Sequence, residues 1–162
     1  MTDFSKIPAP VYETDEPVTY ALEGATAWIM LNRPRYHNSQ NAQMLYALDA
    51  AFRRAVDDPA ARVIVLGGEG KHFSAGHDIG TPGRDVALSQ ERRFLFPDHA
   101  DKPEAEFLYT REHEAYLGFC RRWREIAKPT VAMVQGGCIA GGLMLAWVCD
   151  LIVASDDAFF QD

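Results

Sequence analysis

The chain has 162 residues, 48% of them hydrophobic, which is enough to bury the core of one domain of ordinary size. Its net charge of −7 repels phosphate backbones and anionic lipids at long range, which argues against a nucleic-acid or membrane-surface role and requires any anionic ligand to be held by local contacts. Three cysteines, Cys120, Cys138 and Cys149, contain no CxxC pair; they argue against a disulfide framework and a zinc site, and a reducing, cytoplasmic location is the expectation.

Residues 1–17 mix acidic residues with prolines and lack a basic segment followed by an apolar run, so they read as a loosely ordered lead-in and not as a signal or transit peptide. The core is expected over 18–162. Residues 19–22 and 25–31 are short β-prone runs around Gly24 and predict a hairpin, stopped by Asn32, Arg33 and Pro34. Over 39–57, Met44, Leu45, Leu48, Phe52, Ala55 and Val56 recur at three- and four-residue steps, giving a helix with one apolar face. Residues 62–66, closed by Gly67 and Gly68, read as a strand buried on both faces. Between 80 and 103 the chain is charged and carries Pro82, Gly83, Pro97 and Pro103, so a surface loop or lid with a short helix near 86–94 is expected. A long helix follows over 104–127, with Phe107, Leu108, Tyr116, Leu117, Cys120, Trp123 and Ile126 on one face, until Pro129 ends it. Residues 130–134 and 151–154 look like buried strands, and 140–148 is apolar and helix-like. The alternation implies an α/β architecture with mostly parallel pairing. The closest approach to a membrane span, 139–154, is broken by Gly141, Gly142 and Asp150. The last residues include Phe159 and Phe160 with no helix after them to cover the sheet, and domain boundaries fall in polar linkers; the chain is expected to stop before its domain does.

Two glycine-bearing segments lie just beyond strands. One is Lys71-His72-Phe73-Ser74-Ala75-Gly76-His77-Asp78-Ile79, the other Gln135-Gly136-Gly137-Cys138-Ile139-Ala140-Gly141-Gly142-Leu143. Small residues there let main-chain N–H groups approach a ligand, and open α/β sheets bind ligands beyond the carboxyl ends of strands. The helix after Gly141 adds its positive dipole end. Two converging amides would polarise a carbonyl oxygen, each worth roughly 3 to 4 kcal/mol in a preorganised, water-poor site. Plain glycine turns are the alternative for either segment alone. The run Gly68-Glu69-Gly70-Lys71-His72 lacks the spacing of a P-loop, no GxGxxG is present, and Ser74 lacks the preceding glycine of a nucleophile elbow. His72, His77 and Asp78 match no common metal-site spacing, so no metal is expected.

Taken together, these parts resemble the enoyl-CoA hydratase/isomerase (crotonase) family. They occur in its order: Leu31-Asn32-Arg33-Pro34, Asn41 opening the first long helix, Val63-Ile64-Val65-Leu66, Phe73-Ser74-Ala75-Gly76-His77-Asp78, Lys128-Pro129-Thr130-Val131-Ala132, Gly136 through Gly142, and Cys149-Asp150. The resemblance implies a ClpP/crotonase-like spiral of β-β-α units, incomplete at the C-terminus. It also implies a coenzyme A thioester substrate with no permanently bound cofactor, and homo-trimers paired into hexamers. By position it implies that the backbone N–H groups of His77 and Gly141 form an oxyanion hole, flanked by Gly76 and Gly142. It places the adenine of coenzyme A near Ala75 and its phosphates on Arg33 or Arg35, although a solvated arginine beside a turn is the alternative.

Hydratases of the family carry a glutamate three residues beyond the oxyanion glycine, where this chain has Met144, a thioether that cannot accept a proton at neutral pH. The family's second glutamate would fall two residues past Asp162. Candidates for acid or base here are His77, Asp78, His113 and Glu114; Asp78 equally reads as a loop cap, and His113 and Glu114 read as an exposed helix face. A family member that binds acyl-CoA with little or no hydratase activity is therefore a second expectation, and a plain α/β domain without acyl-CoA affinity a third. The family often has proline after the position of Asp162, and an Asp-Pro bond is acid-labile, so a complementary C-terminal fragment is an expected partner.

Overall fold

The computed structural model describes residues 16–81 and 104–162. The lead-in expected over 1–17, apart from Glu16 and Pro17, and the short helix expected near 86–94 lie outside the described residues.

Strands β1 (Val18–Glu23) and β2 (Thr26–Leu31) form the expected antiparallel hairpin, with Gly24 taking the positive φ of 59° that the tight turn requires. Helix α1 (Ala42–Asp57) starts three residues later than its apolar pattern suggests, because Gln40 is engaged in a parallel bridge to His77. Asn41 is its N-cap, the carboxamide accepting from Met44 N at 2.9 Å. Lys128 Nζ donates to the Ala55 and Asp58 carbonyls, both at 2.7 Å, and so closes the other end. Val56, expected on the apolar face, is exposed.

Strand β3 (Val63–Gly68) pairs parallel with β2 and runs on through the two glycines that were expected to end it; Val63 and Val65 are half-buried, so one face of it is not fully covered. The single helix expected over 104–127 is three pieces: α2 (Glu104–Glu112), a five-residue π-helical stretch (His113–Leu117) and α3 (Gly118–Arg124). Trp123 Nε1 donates to Asp49 Oδ1 at 3.0 Å, docking α3 on α1, while Phe119 stacks on Trp123 in the core.

Strand β4 (Thr130–Val134) extends the sheet, and after it come β5 (Gly137–Ile139), α4 (Gly141–Trp147), β6 (Leu151–Ala154) and β7 (Phe159–Gln161). The main sheet has the order β1-β2-β3-β4-β6, all parallel except the first pair. Thr130 and Asp150 exchange hydrogen bonds of 2.9 Å and set the start of β4 against that of β6. β6 was expected to be buried; it is instead the exposed edge, with Leu151 63% and Val153 60% accessible, because no described element covers it.

A second layer of short strands is present, as the β-β-α spiral implied by the resemblance requires, although no residue pattern marks its strands. Gln40 bridges His77, Ser74 bridges Cys138, and β5 pairs with β7, all parallel. Successive turns of the chain thus each contribute one long strand to the main sheet and one short extended segment to this layer, which is where the two glycine segments meet.

Candidate active site

The ladder between Gln40 and His77 fixes which way the His77 amide faces. Gln40 N–H donates to Gly76 O at 2.7 Å and Asp78 N–H to Gln40 O at 2.8 Å. In a parallel ladder the residue between those two turns its own N–H to the opposite side. A Cβ built on Gly141 would stand 3.3 Å from His77 N. With about 2.5 Å between a residue's own N and Cβ, the His77 and Gly141 nitrogens lie within about 6 Å of each other. As the first residue of α4, Gly141 has no intrahelical acceptor for its N–H.

Close approach explains the glycines. Gly76 has φ of 89°, and a Cβ there would fall 2.8 Å from Ile139 O and 3.0 Å from Gly141 N. A Cβ on Gly142 would sit 2.6 Å from Ser74 O. Between them Ala140 adopts φ 46°, ψ −113°, a conformation that costs a non-glycine residue about 1 to 3 kcal/mol and that concentrates at functional sites. Its own groups are anchored, the N–H to Gln161 O at 2.8 Å and the carbonyl to Leu143 N at 2.9 Å.

Fully buried polar side chains gather around these glycine segments. Asn38, Gln40 and Ser74 are completely buried. Asn38 Oδ1 accepts from Arg33 N, and its Nδ2 donates to Glu69 O and His72 O, each at 2.9 Å. Ser74 Oγ donates to Asn38 O at 2.8 Å and accepts from Gly76 N and Gln40 Nε2 at 3.2 Å. Gln40 Oε1 has no hydrogen-bond partner among the described residues and lies 3.3 Å from the Gly141 Cβ position. Asn38 and Gln40 carry no signal in the sequence, and Ser74 is marked there only as part of the first glycine segment.

The other expected site residues divide. Ala75 donates its N–H to His37 O at 2.8 Å and is half-buried. Met144, half-buried, is one turn along α4 from Gly141 and lines an open cavity of about 360 Å³ with Cys120, Trp147 and Val148 and the charged Arg121, Arg124 and Glu125. Arg35 is exposed. Arg33 is not: its guanidinium is buried against Asp78 at 3.1 Å and Ser39 O at 2.5 Å, so it faces the protein interior and not a phosphate in solution. The Asp78 carboxylate also accepts from Gly80 N, Thr81 N and the Thr81 hydroxyl. Burial works to raise its pKa, but the Thr81 donors and Arg33 outweigh that and hold the carboxyl below its usual range. Its lone pairs are therefore engaged in shaping the loop, the cap role and not that of an open base. The His77 imidazole packs 4.7 Å from the Tyr116 ring, whose hydroxyl reaches Gln40 O at 3.4 Å. Glu114, expected on an exposed helix face, is 8% accessible within the π-helical stretch; His113 is half-buried beside the Tyr109 ring.

His72 accepts Gly137 N–H on Nδ1 at 2.8 Å, and burial together with His37 and Lys71 lowers its pKa, so the neutral ring closes the start of β5. Burial pushes the Cys138 thiol up to about 11, which removes it as a nucleophile at neutral pH. Among the described residues no three His, Cys, Asp or Glu side chains gather as metal ligands, and no helix is long and apolar enough to cross a membrane.

The family model for enoyl-CoA hydratase/isomerase matches residues 22–162, nearly everything from β1 to the last strand. The chain belongs to the enoyl-CoA hydratase/isomerase family. Crystal structures of probable enoyl-CoA hydratases from Mycobacterium smegmatis and Mycobacterium thermoresistibile are 43% and 42% identical to it, each with a TM-score of 0.73. Both alignments cover 89% of this chain, and 50% and 52% of theirs. The human mitochondrial Delta(3,5)-Delta(2,4)-dienoyl-CoA isomerase is 31% identical over 137 residues, covering 82% of this chain and 38% of its own. The architecture is that of the crotonase fold, and the chain spans about half the length of the curated relatives it matches.

Proposed function

We propose that this chain supplies the thioester-activating part of an acyl-CoA enzyme, with the His77 and Gly141 amides acting as an oxyanion hole. The observation that carries the reading is the approach of those two nitrogens across the Gly76–Gly141 contact. A thioester oxygen accepting both N–H groups loses electron density from its carbonyl carbon, which acidifies the α-carbon and holds the enolate charge as it develops. Proton transfer at the α- and β-carbons then decides between hydration and double-bond migration, the two reactions that the relatives' names describe.

Met144 cannot take a proton, and the Asp78 carboxylate is committed to Arg33 and Thr81. Those two facts support a second reading, an acyl-CoA-binding family member with little hydratase activity. In either case the exposed Arg35 is assigned to the coenzyme A phosphates and the backbone at Ala75 to the adenine. Trimeric or hexameric assembly and a cytoplasmic location complete the proposal.

The test is calorimetric binding and product analysis by mass spectrometry with crotonyl-CoA, 3-hydroxybutyryl-CoA, a 3,5-dienoyl-CoA and butyryl-CoA. Turnover of an enoyl or dienoyl thioester supports the enzyme, and saturable binding without turnover supports the second reading. Failure to bind any of the four removes both.

A further inference from the structure

We infer that the buried Arg33–Asp78 ion pair is a positioning device for the His77 amide, so that Arg33 acts on a bound thioester through the peptide and not through contact with coenzyme A. The inference rests on the amide-pair reading above and adds to it the residues that aim one of the amides.

The geometry is specific. Ser39 precedes Gln40 on one side of the short bridge, and Asp78 follows His77 on the other. The guanidinium spans them, Nη1 on the Ser39 carbonyl at 2.5 Å and Nη2 on Asp78 Oδ2 at 3.1 Å. It therefore clamps the two segments together where Gln40 N–H meets Gly76 O and Asp78 N–H meets Gln40 O. That register decides the face on which the His77 N–H emerges: a slip of one residue would turn it to the Gln40 side. The clamp is itself held at both ends. Asp78 is fixed by Gly80 and Thr81, and the Arg33 main chain by Asn38, whose Oδ1 accepts from Arg33 N while its N–H donates to Arg33 O.

Direction, more than stability, is what such a pair provides. Taking two charges out of water offsets most of their attraction, so a buried ion pair adds little net stability compared with well-packed neutral side chains. A neutral replacement could fill the space, but only the forked donor ties a carbonyl on one segment to a carboxylate on the other. The position of Arg33, 45 residues before Asp78, makes the contact one that only the folded chain creates.

The experiment compares wild type, D78N and the double variant R33M/D78N, which removes both charges and leaves neither alone in the core. Two readouts are taken: hydrogen exchange of the ligand-free chain, resolved by peptide, and the absorbance red shift of bound cinnamoyl-CoA at saturation. The expected result for the double variant is exchange at least tenfold faster in residues 37–41 and 74–81 only, and a red shift less than half that of wild type, with the dissociation constant changed less than about threefold. D78N, which leaves the buried guanidinium without its counter-charge, should show at least the same local acceleration. Wild-type exchange and red shift in the double variant would overturn the inference. So would acceleration spread evenly through α1, β3 and β4, which is the signature of a merely structural pair. If wild type itself binds cinnamoyl-CoA without a red shift, the amide-pair reading fails, and the clamp is judged on the exchange result alone. Should the double variant not fold, R33K, which keeps both charges and removes the fork, carries both readouts.

Discussion

Substituting Gly141 with alanine separates folding from function more cleanly than any other single change. A methyl there would lie 3.3 Å from both Gln40 Oε1 and His77 N and 3.4 Å from Gln40 Nε2, contacts that relax by a few tenths of an ångström. Gly141 has no positive φ, so alanine gains up to about 1 kcal/mol of helix propensity at the start of α4. Mild overpacking costs about as much. The folding free energy of G141A should therefore stay within about 1 kcal/mol of wild type. Yet the methyl stands 3.3 Å from His77 N, where the proposed oxyanion hole would hold the thioester oxygen. Loss of one donor of this kind costs about 3 to 4 kcal/mol in the transition state, a fall in kcat of about 10²–10³. Gly142 provides the contrast: its added Cβ would stand 2.6 Å from the Ser74 carbonyl, an overlap with buried backbone that should destabilise G142A by about 1 to 3 kcal/mol or more. Urea denaturation followed by circular dichroism, alongside turnover of the best thioester from the panel, measures both quantities. The reasoning is refuted if G141A keeps wild-type turnover, or if it unfolds as readily as G142A.

Gln40→Met removes a buried acceptor that has no partner among the described residues, at the cost of one 3.2 Å bond to Ser74 Oγ. Since an orphaned buried group costs about 1 to 3 kcal/mol and a neutral bond contributes about 1, Q40M should be as stable as wild type or up to about 2 kcal/mol more so in urea; a loss beyond 1 kcal/mol would contradict this. Asp78 has a folded-state pKa below its unfolded value, so its contribution is fully present above about pH 4 and is lost as pH falls through the lower, folded value. Stability measured from pH 6 down to 2 should thus fall less steeply in D78N than in wild type, and parallel curves would count against the ion pair. Met144→Glu restores a proton acceptor one turn from Gly141. Positioned acid–base groups contribute about 10²–10⁴-fold, so M144E should raise crotonyl-CoA hydration at least about tenfold, and no gain would show that the missing base does not limit the reaction.

The hairpin, α1, β4 and α4 were legible because each carries its period and its stop signal within the segment itself: Gly24 in the turn, Asn41 at the cap, Pro129 before β4. β5 and β7 were not, since three-residue strands have no measurable alternation and Gly137 disguises the first of them. The break in the helix after Glu112 leaves no mark either, because a wide turn keeps the same apolar residue types and only rotates them, which also buries Glu114. β6 misled for a different reason. Leu151, Ile152, Val153 and Ala154 have the composition of a covered strand, but composition reports what a strand is suited to and not whether cover is present among the described residues. At the site, Gly76, Gly141 and Gly142 could be singled out, as close approach and positive φ select glycine wherever they occur. The partnership of Arg33 with Asp78 and the buried Gln40 carboxamide depend on segments brought together across more than 30 residues, which no local pattern encodes.

The claim that two main-chain amides grip one thioester oxygen is tested most directly by isotope-edited infrared spectroscopy of an acyl-CoA carrying carbon-13 at the thioester carbonyl. Bound to wild type, its carbonyl band should move to lower wavenumber than in water, and in G141A it should return most of the way. A band that stays at its solution position in wild type, or that moves equally in both proteins, would contradict the account.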